Sequence, residues 1–193
     1  MRRVAAMAAV LMGALGAMGA ASRGSAPGGG GGNVVGGAVT RGGVTMTLPA
    51  NWTADPAPAR GGDASSRRTV LVARAPSRDT DDTGEYQAVL AISAEPGSSF
   101  DAGAQQARLA QDSNFSNYQV AEKPTPVKIA GREAVTFGGT FTLGPLKLRS
   151  RQYMLTKDNT LYVVTFTCLA SQWENYIGGI EGSVRTLALP EGK

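Results

Sequence analysis

Histidine is absent from this chain and cysteine occurs once. Without histidine there is no Ser-His-Asp or Cys-His catalysis, no imidazole-bound zinc and no imidazole proton shuttle. A single cysteine excludes an internal disulfide and any multi-cysteine metal or iron–sulfur site. Serine catalysis by other routes has no signature either, since neither Ser-x-x-Lys nor a Gly-x-Ser-x-Gly elbow occurs. Charged residues are scarce at 18%, but 42% of the 193 residues are hydrophobic, too many for a chain that stays unfolded throughout. The length suits one ordinary domain with extensions.

The formal net charge is +4. Arg2 and Arg3 account for two of the 19 basic side chains, so the remainder carries 17 against 15 acidic ones. That balance gives no reason to expect a nucleic-acid partner.

Met1-Arg2-Arg3 is a short positive segment, and Val4 to Ala21 is unbroken Ala, Gly, Val, Leu and Met. Gly19 and Ala21 supply small residues at −3 and −1 before Ser22. This pattern predicts a signal peptide over residues 1–21 and a periplasmic or secreted mature protein. The competing reading is an uncleaved anchor, for which the segment is near the lower length limit and rich in Ala and Gly. A membrane becomes a partner only in that case. No cysteine ends the apolar run, so lipid attachment is not expected.

Residues 27–43, PGGGGGNVVGGAVTRGG, hold nine glycines. Such a stretch has few side chains to pack and loses much backbone entropy on ordering, so residues 22–43 are expected to form a flexible linker. Five consecutive glycines invite a phosphate-loop reading, but no Lys-Ser or Lys-Thr follows them.

Residues 44–190 carry the periodicities of a folded domain. Val44, Met46 and Leu48 alternate with threonines as in a half-buried strand, and Trp52 after the Pro49 turn is expected to plug the core. Further strands are predicted over 69–75, 86–94, 118–122, 126–130, from Val135 to Phe141, over 146–156 and over 161–169. Loops are expected over 55–68 and 76–85. Asp158-Asn159 is a two-residue hairpin signal, and the strand after it is apolar on both faces, as a central strand covered on both sides would be. One helix is expected after Ser98 and Ser99 as caps, with Asp101 in its first turn. A second is expected from a Ser171-x-x-Glu174 capping box, with Trp173, Tyr176, Ile177, Ile180, Val184 and Leu187 on one stripe. Gly178, Gly179 and Gly182 weaken that helix unless they let it approach the sheet closely. Strands, an antiparallel meander and two helices make the fold class α+β.

Three places could carry chemistry. Cys168 follows Tyr162, Val164 and Phe166 on one strand face, and without a base it reads as a small buried hydrophobe. Asp79-Thr80-Asp81-Asp82-Thr83-Gly84-Glu85 echoes the start of a calcium loop. Its twelfth position, however, is Leu90 rather than glutamate, and Arg74 and Arg78 lie near. A solvated surface loop is the competing reading, and no cofactor or metal is expected. Lys147, Arg149 and Arg151 alternate along one strand with Tyr153 next, a cationic row roughly 14 Å long. It could dock an acidic partner, or simply guard a strand against aggregation. Asn51-Trp52-Thr53 and Asn114-Phe115-Ser116 match the glycosylation pattern, which matters only in a host that uses it.

The chain resembles the PsbP-like superfamily, which includes bacterial DcrB-like extracytoplasmic proteins. The resemblance rests on Val44-Thr45-Met46-Thr47-Leu48-Pro49-Ala50-Asn51-Trp52 and on Val127-Lys128-Ile129-Ala130-Gly131-Arg132-Glu133-Ala134. It continues in the stretch from Tyr153 through Val164-Thr165-Phe166 to a terminal helix, and so spans about residues 44–190. It implies an antiparallel sheet flanked by helices on both faces, an α/β/α sandwich. It also implies a non-catalytic accessory or docking role, such as those of photosystem II extrinsic subunits, secretion-effector chaperones and envelope proteins. The chain lacks both the lipid-attachment cysteine of many bacterial relatives and the histidines of photosynthetic ones, so no functional residue is carried over. The expectation is an exported, non-catalytic module that docks on another envelope protein through Lys147, Arg149 and Arg151. The alternative is a carrier of a small apolar or lipid-like ligand held between the terminal helix and the sheet.

Overall fold

Apolar residues at every second position need a partner layer on at least one side of a sheet. The computed structural model, which describes residues 35–56, 68–97, 101–113 and 115–191, supplies it. The elements in chain order are β1 (Val35–Arg41), β2 (Val44–Ala54), β3 (Arg68–Arg74), β4 (Asp79–Asp81), β5 (Gly84–Tyr86), β6 (Val89–Pro96) and α1 (Ala102–Gln111). There follow β7 (Ser116–Ile129), β8 (Arg132–Leu143), β9 (Leu146–Lys157), β10 (Thr160–Leu169), a 3₁₀ turn (Ala170–Gln172) and α2 (Trp173–Arg185). Eight strands form one sheet in the order β1-β2-β3-β6-β10-β9-β8-β7, every pairing antiparallel, and β4-β5 is a separate small hairpin.

β10 is the central strand that its two-sided apolarity predicts. Tyr162, Val164, Phe166 and Cys168 enter one hydrophobic cluster together with Trp173, Ile180, Val184 and Leu187 from α2 and the segment after it. Leu161, Val163 and Leu169 enter a second cluster with Ala102 and Leu109 of α1. Trp52 is buried as expected, its ring 6.3 Å from Phe166 and 5.9 Å from Tyr176. Asp158 and Asn159 both take positive φ, the backbone of a type I′ turn between β9 and β10.

Several expectations are corrected. The linker predicted over 22–43 is too long. Residues 35–41 form an edge strand that pairs with β2, and Val39 is buried beneath it. Glycine-rich composition hid this, because Gly42-Gly43 makes the tight turn that pairs Arg41 with Val44. The domain therefore starts by Val35. The predicted signal peptide over 1–21 and the rest of the linker lie outside the described residues. The two short strands over 118–122 and 126–130 are one strand, β7, bent by three register irregularities. Pro124 and Pro126 are tolerated because β7 is an edge. The loop over 76–85 contains the β4-β5 hairpin.

Both helix starts differ from their expected caps. Asp101 caps α1, accepting from the Ala104 N–H at 3.0 Å, whereas Ser98 and Ser99 lie outside the described residues. The Ser171-x-x-Glu174 capping box does not form. The Ser171 hydroxyl donates instead to Asp81 at 2.6 Å, and the chain enters α2 through the 3₁₀ turn.

The α2 glycines do not mediate close packing. A Cβ at Gly178 or Gly182 would meet nothing within 4 Å, and at Gly179 only Pro49 at 4.0 Å. Gly178→Ala and Gly182→Ala are therefore each expected to stabilise the fold by about 1 kcal/mol. A rise in urea midpoint would register the gain, and a fall in either variant would mean that the exposed face of α2 is not free.

Candidate functional site

β9 presents Arg149 and Arg151 on the same face as Tyr153 and Leu155, facing α2. The cationic row exists, but only Lys147 at its start is exposed. Arg151 grips Glu122 side-on, Nε to Oε2 at 2.7 Å and Nη2 to Oε1 at 2.8 Å, and its Nη1 reaches Glu181 of α2 at 2.5 Å. Arg149 donates to the same Glu122 Oε1 at 2.9 Å. Both guanidiniums lie over the Trp173 ring, at 4.1 Å and 5.3 Å from its centroid. Arg185, one turn along α2, stands 3.6 Å from Glu181. The sequence predicts three cations displayed to a partner. Two of them are instead occupied within the molecule, so the expected docking row contracts to Lys147.

Glu122 is the residue that sequence reasoning missed. It sits on β7, between two register irregularities, and reaches across β8 to β9. Gly138 on β8 makes the crossing possible. A Cβ there would lie 3.4 Å from the Glu122 carboxylate and 2.6 Å from the Ser150 carbonyl oxygen. Glycine in a strand interior marks such close approaches, so Gly138-Gly139 was the available signal. Burial alone would raise the Glu122 pKa, but the hydrogen bonds from Arg151 and Arg149 prevail and hold the carboxyl below the usual glutamate range. Arg151 and Glu122 are mostly shielded, at 16% and 21% side-chain exposure, so this network is worth more than a surface ion pair.

The Asp79–Glu85 segment does not form a cation loop. Asp81 accepts from the Thr83 N–H at 2.8 Å, from the Thr83 hydroxyl at 2.6 Å and from Ser171. The Ser171 hydroxyl first, then Thr83, brings its carboxyl down to about 2. Asp79 accepts from the Tyr176 hydroxyl at 2.7 Å. Burial, reinforced by Asp79, pushes that phenol above its ordinary range. The hairpin thus staples the start of α2, with Asp79 and Asp81 serving protein donors. Among the described residues no group of three or more Cys, Asp and Glu is placed to hold a metal ion.

Cys168 is fully buried, and burial pushes its thiol up to about 12. A thiol so far from ionisation at neutral pH is a poor nucleophile. Among the described residues, no helix is long and apolar enough to cross a membrane.

No protein-family model matches this chain, and no curated protein matches it by sequence. Solved structures do share its fold. The solution structure of cyanobacterial PsbP (CyanoP) from Synechocystis sp. PCC 6803 aligns with a TM-score of 0.54 at 11% identity, over 86% of this chain and 98% of that one. LpqN of Mycobacterium tuberculosis, described as involved in cell envelope biogenesis, aligns with a TM-score of 0.53 at 11% identity, over 77% and 83%. The fold is therefore PsbP-like, as the sequence resemblance implies.

Proposed function

We propose that the chain is an exported, non-catalytic accessory or docking module of the bacterial cell envelope. The observation that carries this reading is that Glu122, Asp81 and Asp79 are each paired within the chain. Glu122 is committed to Arg149 and Arg151, Asp81 to Ser171 and Thr83, and Asp79 to Tyr176. Structural ion-pair networks of this kind perturb pKa values without any catalytic task, so these pairs give no sign of an active site. The leader-like residues 1–21 and the likeness to LpqN, an envelope-biogenesis protein, support the location. We read the two helices as layers on opposite faces of the sheet, because β10 sends alternate side chains into two clusters and each cluster takes one helix.

The partner in this reading is another envelope protein, met at the end of the sheet where Lys147 is exposed and its N–H donates to Thr83 at 3.2 Å. The carrier alternative loses its motive, since the α2 glycines face away from the sheet and the α2 stripe is buried against it. A photo-crosslinker at Lys147, activated in intact cells, tests the reading together with cell fractionation. The expected result is a chain beginning at Ser22, outside the cytoplasmic membrane, joined to one dominant protein. Crosslinks at Lys147 that match those at a distant exposed site such as Lys128 would remove the docking surface. A full-length chain in the cytoplasm would overturn the reading itself.

A further inference from the structure

The sheet face that carries the α1 cluster has a polar centre. On β9 and β10, Ser150 pairs with Thr167 and Gln152 with Thr165, and the next strand, β6, adds Ser93 opposite Val163. All five polar residues are more than nine-tenths buried, with Gln152 at 1% and Thr167 at 2% exposure. On the other side of Ser150 lies Gly139 of β8, whose missing side chain is replaced by the Tyr118 ring. A Cβ there would fall 2.4 Å from Tyr118 Cζ and 2.6 Å from its hydroxyl oxygen.

Two polar atoms beside Ser150 are buried with no hydrogen-bond partner among the described residues, Gln152 Oε1 and Thr167 Oγ1, while the Tyr118 hydroxyl at their edge interacts with Gln106. A buried carbonyl or hydroxyl left unpaired costs about 1–3 kcal/mol, and a stable fold rarely carries two such costs side by side. Gln152 and Thr167 are diagonal neighbours on adjacent strands, with Cα atoms about 7–8 Å apart. One oxygen atom between them, about 2.8 Å from each, would span the gap. The patch is buried and none of Ser93, Ser150, Gln152, Thr165 and Thr167 carries a charge, so it favours a neutral ligand over an ion. Gln152 Oε1 only accepts, so the ligand must donate a hydrogen.

We propose that Gln152 and Thr167, with Tyr118 at the rim, bind a neutral hydroxyl group buried against the α1 face of the sheet. Its source is an internal water or the hydroxyl of a small uncharged molecule. A buried water makes about three hydrogen bonds, of which Gln152 and Thr167 supply two and the Tyr118 hydroxyl, still able to accept, a third. The inference is independent of the envelope role.

Isotope-labelled full-length chain tests it through nuclear Overhauser contacts of the Gln152 side-chain amide and the Thr167 methyl. Contacts at the water frequency, with the sign of a long-lived site, are the outcome expected for water. Contacts to non-protein protons, with a constant mass adduct in native mass spectrometry, are the outcome expected for a small molecule. Thr167→Val should then abolish the contact at Gln152, whereas Cys168→Ala, which alters the opposite face, should keep it. No contact at either frequency in the unsubstituted chain, with the Thr167 hydroxyl proton coupled directly to Gln152, would overturn the proposal even if no variant folds.

Discussion

Phe166→Ala is expected to lower stability by about 3–5 kcal/mol, enough to unfold a marginal domain at ordinary temperature. Phe166 has no solvent exposure, and its ring lies 5.5 Å from Trp173, 6.1 Å from Tyr176 and 6.3 Å from Trp52. Those three rings come from α2 and β2, so one side chain on the central strand couples a helix to an outer strand. Close-packed surroundings of this kind collapse only partly into a vacated space, and the cavity adds to the lost transfer energy. Urea unfolding followed by tryptophan fluorescence reads the change. Cys168→Ala, two residues along the same face, is a control expected to cost far less. If the two variants lose equal stability, the aromatic cluster is not the centre of this core.

Glu122→Gln is expected to cost about 2 kcal/mol at neutral pH, below the 3–5 kcal/mol of a fully buried pair because the network is partly exposed. The substitution leaves two guanidiniums near Trp173 with one full carboxylate fewer. The pH dependence has a definite sign. The folded-state pKa is depressed, so the stabilisation is complete above the unfolded glutamate value of about 4.3 and is lost as pH falls through the folded value. The gap in urea midpoint between the parent chain and the variant should therefore be widest near pH 7 and narrow below pH 4. A gap that stays constant down to pH 3 would show that the Glu122 charge is not what stabilises the fold. Because both partners are shielded, 0.5 M salt should erode the gap only in part.

Much of the fold is legible in the residues. Alternation marks β2, β6 and β8, two-sided apolarity places β10 at the centre, and the 3.6-residue stripe gives α2. The site is less legible because its contacts are long-range. Glu122 meets Arg149 and Arg151 across 27 and 29 residues, and Ser171 meets Asp81 across 90. Periodicity reports which face a side chain takes, not which charge waits there. Lys147, Arg149 and Arg151 look alike on that measure, and only the carboxylate on the bent edge strand separates them. The capping box fails for a similar reason. A serine can satisfy a helix end or a distant aspartate, and local spacing does not say which. β1 escaped notice because glycine counts describe flexibility, whereas a paired neighbour such as β2 can order the same residues.

The sheet is not closed by strands alone. β2 and β3 pair only at Thr53 and Ala54, and the residues just after α2 supply what β3 does not. Ala188 exchanges both backbone hydrogen bonds with Thr45, and the Thr47 N–H donates to the Thr186 hydroxyl. Leu187 between them is buried, and Lys157 is tied to the Pro190 carbonyl. In a chain synthesised from its N-terminus onward, β2 thus waits for residues 186–188 before its backbone is satisfied. Closing so long a loop carries a high entropic cost, so refolding should be slow for the size of the domain. Until then the fold is incomplete, and residues 186–190 act as its latch.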